Sequence, residues 1–383
     1  MSKLLGVLVL LTSTLAVAAP TAAAEVAPVG KIGVKPMVST REGRTCALLA
    51  NGTAKCWGLG YLGNGTSNSS NVPVTVSGLA GAVAISVGLS HTCALLANGT
   101  AKCWGDNSAG QLGNSTLNTT ALTPVAVTGI SNAVGISAGT YHSCALLANG
   151  TAKCWGANNY GQLGSGGNPA QVSAVPVTVS GLSGATAITA GYSHTCAIVA
   201  NGTAKCWGSN SWGQLGNATT TDSNIPVSVS GLSGATSISA DDGYTCALLA
   251  DGTAKCWGAN IRGRLGNGVS YGIYTVPVAV TGLSGATAIA AGFLQACALV
   301  SDGTMKCWGS NDWGQLGNAT TTDSNLPVTV LRATEGVAVT TGYGNSCAML
   351  ADGTAKCWGL NASGQLGDGT NTDSTTPVSV VGL

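Results

Sequence analysis

Short apolar segments alternate with small and polar residues along this chain, and the same order of segments recurs many times. In the second copy, small residues at 84–88 precede a candidate hairpin at 92–105, a glycine-rich connection at 110–113 and a Pro-Val segment at 124–127. Segments of this length, rich in small and β-branched residues and bounded by glycine, are typical of strands, and no helical period appears in the repeat region. Each copy therefore predicts four short strands.

Fourteen cysteines mark the period of the copies, because they fall into seven pairs of constant spacing. The pairs are Cys46 with Cys56, Cys93 with Cys103, Cys144 with Cys154, Cys196 with Cys206, Cys246 with Cys256, Cys297 with Cys307, and Cys347 with Cys357. Successive pairs begin 47, 51, 52, 50, 51 and 50 residues apart, and a fixed period of this size indicates a repeat architecture.

The number of copies predicts the architecture. Seven four-stranded units lie within the range of β-propellers, whose closed ring protects sheet edges. We therefore predict an all-β fold, a seven-bladed β-propeller of four-stranded antiparallel blades. A linear solenoid, the alternative, would need atypical polar end units, and the last copy is regular.

The cysteine spacing also selects the hairpin loop. A three-residue loop at 97–99, with Gly99 left-handed, pairs Leu96 with Thr100, and counting outward then brings Cys93 opposite Cys103. A two-residue loop would place the two cysteines on opposite faces. Facing cysteines have the short Cα separation that a disulfide requires, whereas zinc needs four ligands at closer spacing. We expect seven local disulfides.

The first residues have a different character from the repeats. Lys3 precedes an apolar stretch at 4–17, and small-residue cleavage motifs follow at 16–18 and 22–24. We predict a signal peptide over 1–24, an N-terminal linker or closing segment over 25–37 and the propeller over 38–383. A membrane anchor is the alternative, although no charged stop-transfer flank follows. The mature chain is thus expected to be secreted, extracellular or periplasmic, without a membrane span, which agrees with its paired cysteines.

The low content of charged residues argues against nucleic-acid binding and leaves few titratable side chains for a catalytic site. Only 15 Lys and Arg and 14 Asp and Glu occur in 383 residues, so no basic surface for nucleic acid is expected. The histidines, His91, His142 and His194, occupy equivalent positions in three successive copies and could in principle approach a common metal. Other copies place Arg, Tyr, Gln or Asn there, which favours a hydrogen-bonding turn residue. We predict neither a metal site nor a cofactor.

One motif links the copies to a known family. It comprises Gly-Tyr-Ser-His-Thr-Cys-Ala-Ile at 191–198, Asn-Gly at 201–202 and Trp-Gly-Ser-Asn-Ser-Trp-Gly-Gln-Leu-Gly at 207–216. With its seven recurrences over 38–383, the chain resembles the regulator-of-chromosome-condensation repeat family. The resemblance implies a seven-bladed propeller. It implies much less about function, because that family includes a nuclear exchange factor, a plant ultraviolet receptor and secreted inhibitors of other proteins.

Positions that recur in every copy define the scaffold, so candidate binding residues are sought among the exceptions. These exceptions concentrate in copies four to six and are rich in Trp, Tyr and Arg, the residue types enriched at binding hot spots. The candidate binding residues are Trp212, Asp241, Asp242, Tyr244, Arg262, Arg264, Tyr271, Tyr274 and Trp313. If their loops share one rim, they form a mixed aromatic and charged patch. Neutral drift of the loops is the alternative interpretation.

The function expected from these features is binding rather than catalysis. We expect a secreted binding or scaffold module whose partner is an extracellular protein or an envelope polymer. A polysaccharide hydrolase or lyase would need paired carboxylates, and the only adjacent acidic pair is Asp241-Asp242. A guanine-nucleotide exchange factor is suggested by family analogy alone, and export argues against it.

Overall fold

The computed structural model describes residues 37–169 and 171–383, which form seven four-stranded sheets. The predicted signal peptide (1–24) and residues 25–36 of the predicted linker lie outside the described residues. Met37, predicted as the last linker residue, is the first residue of a strand. No helix among the described residues is long and apolar enough to cross a membrane.

Each blade consists of one contiguous segment. Blade 1 contains β1 (Met37–Arg41), β2 (Arg44–Leu48), β3 (Ala54–Gly58) and β4 (Ser70–Thr75). Blade 2 contains β5 (Ala82–Val87), β6 (His91–Leu96), β7 (Ala101–Asp106) and β8 (Thr120–Ala126). Blade 3 contains β9 (Ala133–Ala138), β10 (His142–Leu147), β11 (Ala152–Gly156) and β12 (Ser173–Thr178).

The remaining blades repeat this order. Blade 4 contains β13 (Ala185–Ala190), β14 (His194–Val199), β15 (Ala204–Gly208) and β16 (Ser223–Ser228). Blade 5 contains β17 (Ala235–Ala240), β18 (Tyr244–Leu249), β19 (Ala254–Ile261) and β20 (Tyr271–Ala279). Blade 6 contains β21 (Ala286–Ala291), β22 (Gln295–Val300), β23 (Met305–Gly309) and β24 (Ser324–Thr329). Blade 7 contains β25 (Gly336–Thr341), β26 (Asn345–Leu350), β27 (Ala355–Gly359) and β28 (Ser374–Ser379).

The predicted fold is confirmed: seven blades of four antiparallel strands, paired in chain order within each sheet. The first strand of each blade lines the central axis, where small residues such as Ser86, Ser137 and Ser239 allow seven strands to come close together. Antiparallel order places the turn between strands one and two, and the connection between strands three and four, at the same end of the ring. We call that end the upper face.

The predicted hairpin register is also confirmed. Cys93 pairs with Cys103 across β6 and β7, and Leu96 N donates to Thr100 O at 2.8 Å. Gly99 has a φ of +78°, the left-handed conformation that closes the three-residue loop. The same register brings the two cysteines of every blade face to face.

All fourteen cysteines form the seven predicted local disulfides, with Cα separations of 4.0–4.1 Å. From blade 1 to blade 7, the bonds join Cys46 with Cys56, Cys93 with Cys103, Cys144 with Cys154, Cys196 with Cys206, Cys246 with Cys256, Cys297 with Cys307, and Cys347 with Cys357. Each bond links the second strand of a blade to the third, so no disulfide connects one blade with another.

The tryptophan of each Trp-Gly pair seals the contact between neighbouring blades. Trp155 of blade 3 is fully buried against Leu112 and Val127 of blade 2, and its Nε1 donates to Gln111 O at 2.9 Å. Equivalent bonds from Trp207, Trp257, Trp308 and Trp358 reach the carbonyl of the Gln position, or of Arg264, in the preceding blade. The Gln-Leu-Gly segment thus supplies the acceptor on which the next blade docks.

The ring closes by packing of blade 7 against blade 1. Val38 and Trp57 share a buried cluster with Met349 and Leu366, and Trp57 Nε1 donates to Gln365 O at 2.9 Å. The interface between blades 7 and 1 therefore has the same kind of contacts as the interfaces between the other blades. Each described sheet consists of four consecutive strands, so no blade borrows a strand from another.

Candidate functional site

A small concave pocket lies on the upper face where blades 3, 4 and 5 meet. Its aromatic residues are Tyr160, Tyr192 and Trp212, which are 46%, 44% and 49% exposed. Its other lining residues are Ser193, Ser209, Ser211, Gln214, Asp242 and Gly243. The volume is about 190 Å³. We call this the aromatic pocket.

The loops that present these rings are held by their own side chains. Trp212 N donates to the side-chain oxygen of Gln214 at 2.9 Å, and Leu215 N donates to Asn210 Oδ1 at 2.9 Å. The connection of blade 3 has the same bond, from Tyr160 N to Gln162 Oε1 at 2.9 Å. Because the backbone N–H groups of Tyr160 and Trp212 are bonded within their own loops, the backbone at each residue is held in place. The aromatic side chain projects outward from this backbone.

Asp241 lies at the central axis rather than in the pocket. Its carboxylate forms an ion pair with Arg41 of blade 1, and both side chains are 9% exposed. Arg41 Nη1 also donates to Ala138 O at 3.4 Å and Ala190 O at 3.3 Å. Burial raises the pKa of Asp241 to about 6, although the Arg41 guanidinium opposes the shift. The pair therefore spans the upper end of the axial channel.

Arg264 and Tyr244 lie inside blade 5 beneath the upper face. The Arg264 guanidinium lies over the Tyr244 ring, with Cζ 4.6 Å from the ring centroid, and donates to Ala259 O at 2.8 Å and Phe293 O at 2.7 Å. Tyr244 is fully buried, and its hydroxyl donates to Gln295 O at 2.7 Å. Neither residue presents a side chain to solvent, so both support the face rather than form it.

Asp242, by contrast, lines the aromatic pocket. One carboxylate oxygen is 3.6 Å from Arg264 Nη1, and its side chain is 32% exposed. The two adjacent acids therefore point to different places, one to the axis and one to the pocket.

Arg262 connects blades 5 and 6 through ion pairs. Its Nε donates to Asp323 Oδ2 at 2.7 Å, and its Nη2 donates to Asp312 Oδ1 at 2.8 Å. The bond from Arg262 holds the pKa of Asp312 below its usual value. Because the guanidinium is occupied by two carboxylates, its main contribution is to the inter-blade contact.

The other candidate aromatics are distributed over blades 5 to 7. Trp313 and Phe293 both pack on Tyr343. The centroid of the Tyr343 ring is 5.7 Å from that of Trp313 and 4.6 Å from that of Phe293, so the three rings partly cover one another. Tyr271 is 68% exposed at the start of β20, whereas Tyr274 packs partly on the core of blade 5. The nine candidate residues thus do not converge on one patch.

The three histidines lie at contacts between blades. His91 Nε2 bonds to Ser143 Oγ at 2.8 Å, and His142 and His194 bond to Thr195 and Thr245 Oγ1 at 2.9 Å. Burial lowers the pKa of each histidine to about 3. Each ring is therefore neutral and engages a hydroxyl of the next blade, and the described residues contain no cluster of three or more metal-ligating side chains.

Comparison with known proteins places this geometry in a family. A family model described as the RCC1-like domain matches residues 13–292. Models of the regulator of chromosome condensation (RCC1) repeat match 286–315, 337–365 and 302–349. The chain belongs to the RCC1-like domain family.

The chain spans only a small part of the length of the curated relatives that it matches. The RCC1-like chain is 34% identical over 163 residues to the human probable E3 ubiquitin-protein ligase HERC6. This alignment covers 41% of this chain and 16% of HERC6. The chain is 37% identical over 87 residues to human E3 ubiquitin-protein ligase HERC2, covering 22% of this chain and 2% of the relative. The similarity thus concerns repeats within much longer proteins.

Solved structures show the same fold for the RCC1-like chain. Yeast RCC1 (Prp20), solved bound to Kap60, has a TM-score of 0.75 and 24% identity, covering 85% of this chain and 83% of that one. Human WBSCR16 has a TM-score of 0.74 and 21% identity, covering 82% and 85%. At this identity the likeness concerns the fold alone.

The sequence prediction does not include every residue of the candidate site of this RCC1-like propeller. The predicted binding residues do not include Tyr160, although Tyr160 stands at the position of Trp212 when the copies are aligned, and this alignment is the signal that identifies it. Tyr192 lies in the repeat motif itself and therefore had no distinguishing signal. Arg41 was missed because its partner Asp241 is 200 residues away in the sequence.

Proposed function

We propose that this chain is a non-catalytic binding propeller that recognises an exported protein or a cell-surface polymer through its upper face. The observation that carries the proposal is the group of three half-exposed aromatic side chains, Tyr160, Tyr192 and Trp212, presented by loops of two neighbouring blades. Aromatic side chains in a partly enclosed position lose little conformational entropy on binding and provide large contact areas.

The carboxylates support binding rather than hydrolysis. A glycosidase requires two acids that flank one bond. Asp241 is occupied by Arg41 at the axis, while Asp242 faces the aromatic pocket beside Arg264. The adjacent pair therefore does not form the facing arrangement that such an enzyme would need.

Export is part of the same proposal. Seven disulfides, all buried, support a chain that folds in an oxidising compartment. The signal peptide predicted at 1–24 would take it there. The ligase activity named for the HERC relatives is not carried over, because the matched repeats span only 16% of HERC6 and 2% of HERC2.

The test compares two baits that each lose one exposed aromatic ring. Trp212→Ala removes the ring from the pocket, and Tyr271→Ala removes a more exposed ring from outside it. The immobilised wild-type chain and both variants are incubated with exported proteins and, separately, with purified envelope polymers. Matching thermal unfolding curves establish that all three baits are folded.

We expect a partner that is retained by the wild type and by Tyr271→Ala but retained about tenfold less by Trp212→Ala, since a hot-spot ring contributes about 1–2 kcal/mol or more. Retention in the protein arm or the polymer arm identifies the partner class. A partner held equally by all three baits, or no partner in either arm, would overturn the proposal.

A further inference from the structure

We propose that the aromatic pocket binds a quaternary ammonium group, such as the trimethylammonium head of choline or of a trimethylated lysine. This inference rests on the proposed function, because it names the chemical group that the same pocket recognises. It is argued from the shape of the pocket, the rings that line it and the charges near it.

The rings provide the first argument. Tyr160, Tyr192 and Trp212 reach the pocket from three separate loops, and each is about half exposed. The face of an aromatic ring carries partial negative charge and attracts a cation placed over it, most strongly for Trp. Several rings around one small space are the arrangement by which proteins bind methylated ammonium groups.

Size provides the second argument. The pocket has a volume of about 190 Å³, below the range of sites that enclose a whole drug-sized ligand. It therefore accommodates a single compact group at the end of a longer molecule. A trimethylammonium group is of this kind, since its methyl groups contact the rings while the chain that bears it extends to solvent.

Charge provides the third argument, because Asp242 is the charged residue among those that line the pocket. Arg264 lies 3.6 Å from Asp242, but it is buried, and its Nε and Nη1 groups donate to backbone carbonyls. Burial raises the pKa of Tyr192, and the neighbouring Tyr141 and the Asp242 carboxylate act in the same direction. Asp242, which is 32% exposed, is therefore the charged group that a cation bound in the pocket would meet, and it favours a cation over an anion.

A neutral sugar ring could also stack on these side chains, so the test must separate charge from shape. Choline and 3,3-dimethyl-1-butanol have nearly the same shape, but only choline is charged. Calorimetric titration of the full chain with choline, with this isostere and with cellobiose measures the two contributions. We expect choline to bind at least about tenfold more tightly than either neutral compound.

Substitutions in the aromatic pocket and outside it test whether choline binds there. Trp212→Ala should weaken choline binding about tenfold, Trp212→Phe should restore part of it, and Asp242→Asn should weaken it about threefold. Trp313→Ala is the matched control, because it removes a ring that packs on Tyr343 away from the pocket, and it should leave choline binding unchanged. Loss of binding in Trp313→Ala, or none in Trp212→Ala, would overturn the assignment.

Two further ligands identify the source of the cation. Phosphocholine represents a lipid or polymer head group, and Nα-acetyl-Nε-trimethyl-lysine amide represents a modified protein. The ligand that binds more tightly shows whether the ammonium group belongs to a lipid or polymer head group or to a modified protein. Equal binding of choline and its isostere, tighter binding of cellobiose, or no binding of any cation would refute the ammonium site.

Failure here is distinguishable from failure of the proposed function. If no cation binds but Trp212→Ala still loses a macromolecular partner, the binding propeller stands and only the ligand class is wrong. If choline binds through Trp212 while all baits retain the same partners, the ammonium site stands and the proposed route of macromolecular recognition is wrong.

Discussion

Arg41 of blade 1 and Asp241 of blade 5 form a buried ion pair across the upper end of the axial channel. Five of the seven blades have glycine at this position, and the two that do not carry opposite charges. The glycines are residues 88, 139, 191, 292 and 342. The pair therefore connects two blades that do not touch as neighbours in the ring.

This relationship predicts strong coupling between the two residues. Arg41→Gly or Asp241→Gly alone should lower the free energy of unfolding by about 3 kcal/mol, because each leaves a buried charge without its partner. The double variant, which restores the residue found in the other blades, should cost less than the sum of the two. Urea unfolding with disulfides intact measures all four proteins, and strictly additive losses would contradict the coupling.

The buried histidines predict instability in acid. Their pKa values of about 3 lie below the unfolded value near 6.5, so the unfolded chain binds more protons between these limits. The free energy of unfolding should therefore fall as pH falls from 6.5 towards 3, by up to about 1.4 kcal/mol per pH unit for each histidine.

His142→Gln tests this directly, since Gln295 occupies the same position in blade 6. The variant should show a shallower loss of stability in urea unfolding at pH 7, 5.5 and 4, smaller by one histidine's contribution. Asp241, whose raised pKa has the opposite effect between about 4 and 6, is present in both proteins and cancels in the difference. An unchanged slope would show that His142 is not the titrating group.

The contact between blades 1 and 2 lacks a bond that the other contacts have. Within the described part of the chain, Trp104 Nε1 has no acceptor, whereas Trp155 Nε1 donates to Gln111 O at 2.9 Å. The connection of blade 1 is shorter and has Tyr61 in place of the usual Gln, with a φ of +62°. Its backbone therefore does not present the carbonyl as the other blades do.

Matched substitutions measure the missing bond. Both tryptophans are fully buried, so Trp104→Phe and Trp155→Phe remove comparable apolar contacts. We expect Trp155→Phe to cost about 1 kcal/mol more in urea unfolding, because only that variant loses a hydrogen bond. Equal losses would show that Trp104 finds an acceptor in solution.

The disulfides predict a simple peptide map. Digestion of the oxidised chain without reductant should give seven linkages, each joining cysteines ten residues apart, and no free thiol. Because all fourteen cysteine side chains are fully buried, a mild thiol reductant should reduce the disulfides only when urea unfolds the chain. Cross-blade linkages, or reduction of the folded chain, would contradict the register.

The sequence determined the features that depend on residues close together in the chain. The hairpin loop, the register of Cys93 with Cys103 and the local disulfides follow from a ten-residue spacing and the pleat of paired strands. Seven repetitions of that unit then imply a closed ring, because an open array would leave sheet edges exposed. No long-range information was needed for any of these conclusions.

Only the tertiary structure decided which exceptional residues face solvent. Arg264 and Trp212 both depart from the repeat, yet Arg264 is buried under the upper face while Trp212 is 49% exposed. Tyr160 and Trp212 meet at one pocket, and Arg41 reaches Asp241, because ring closure brings distant segments together. Strand pairing is set by short-range geometry, whereas the direction and exposure of a loop side chain depend on the packing of the neighbouring blades.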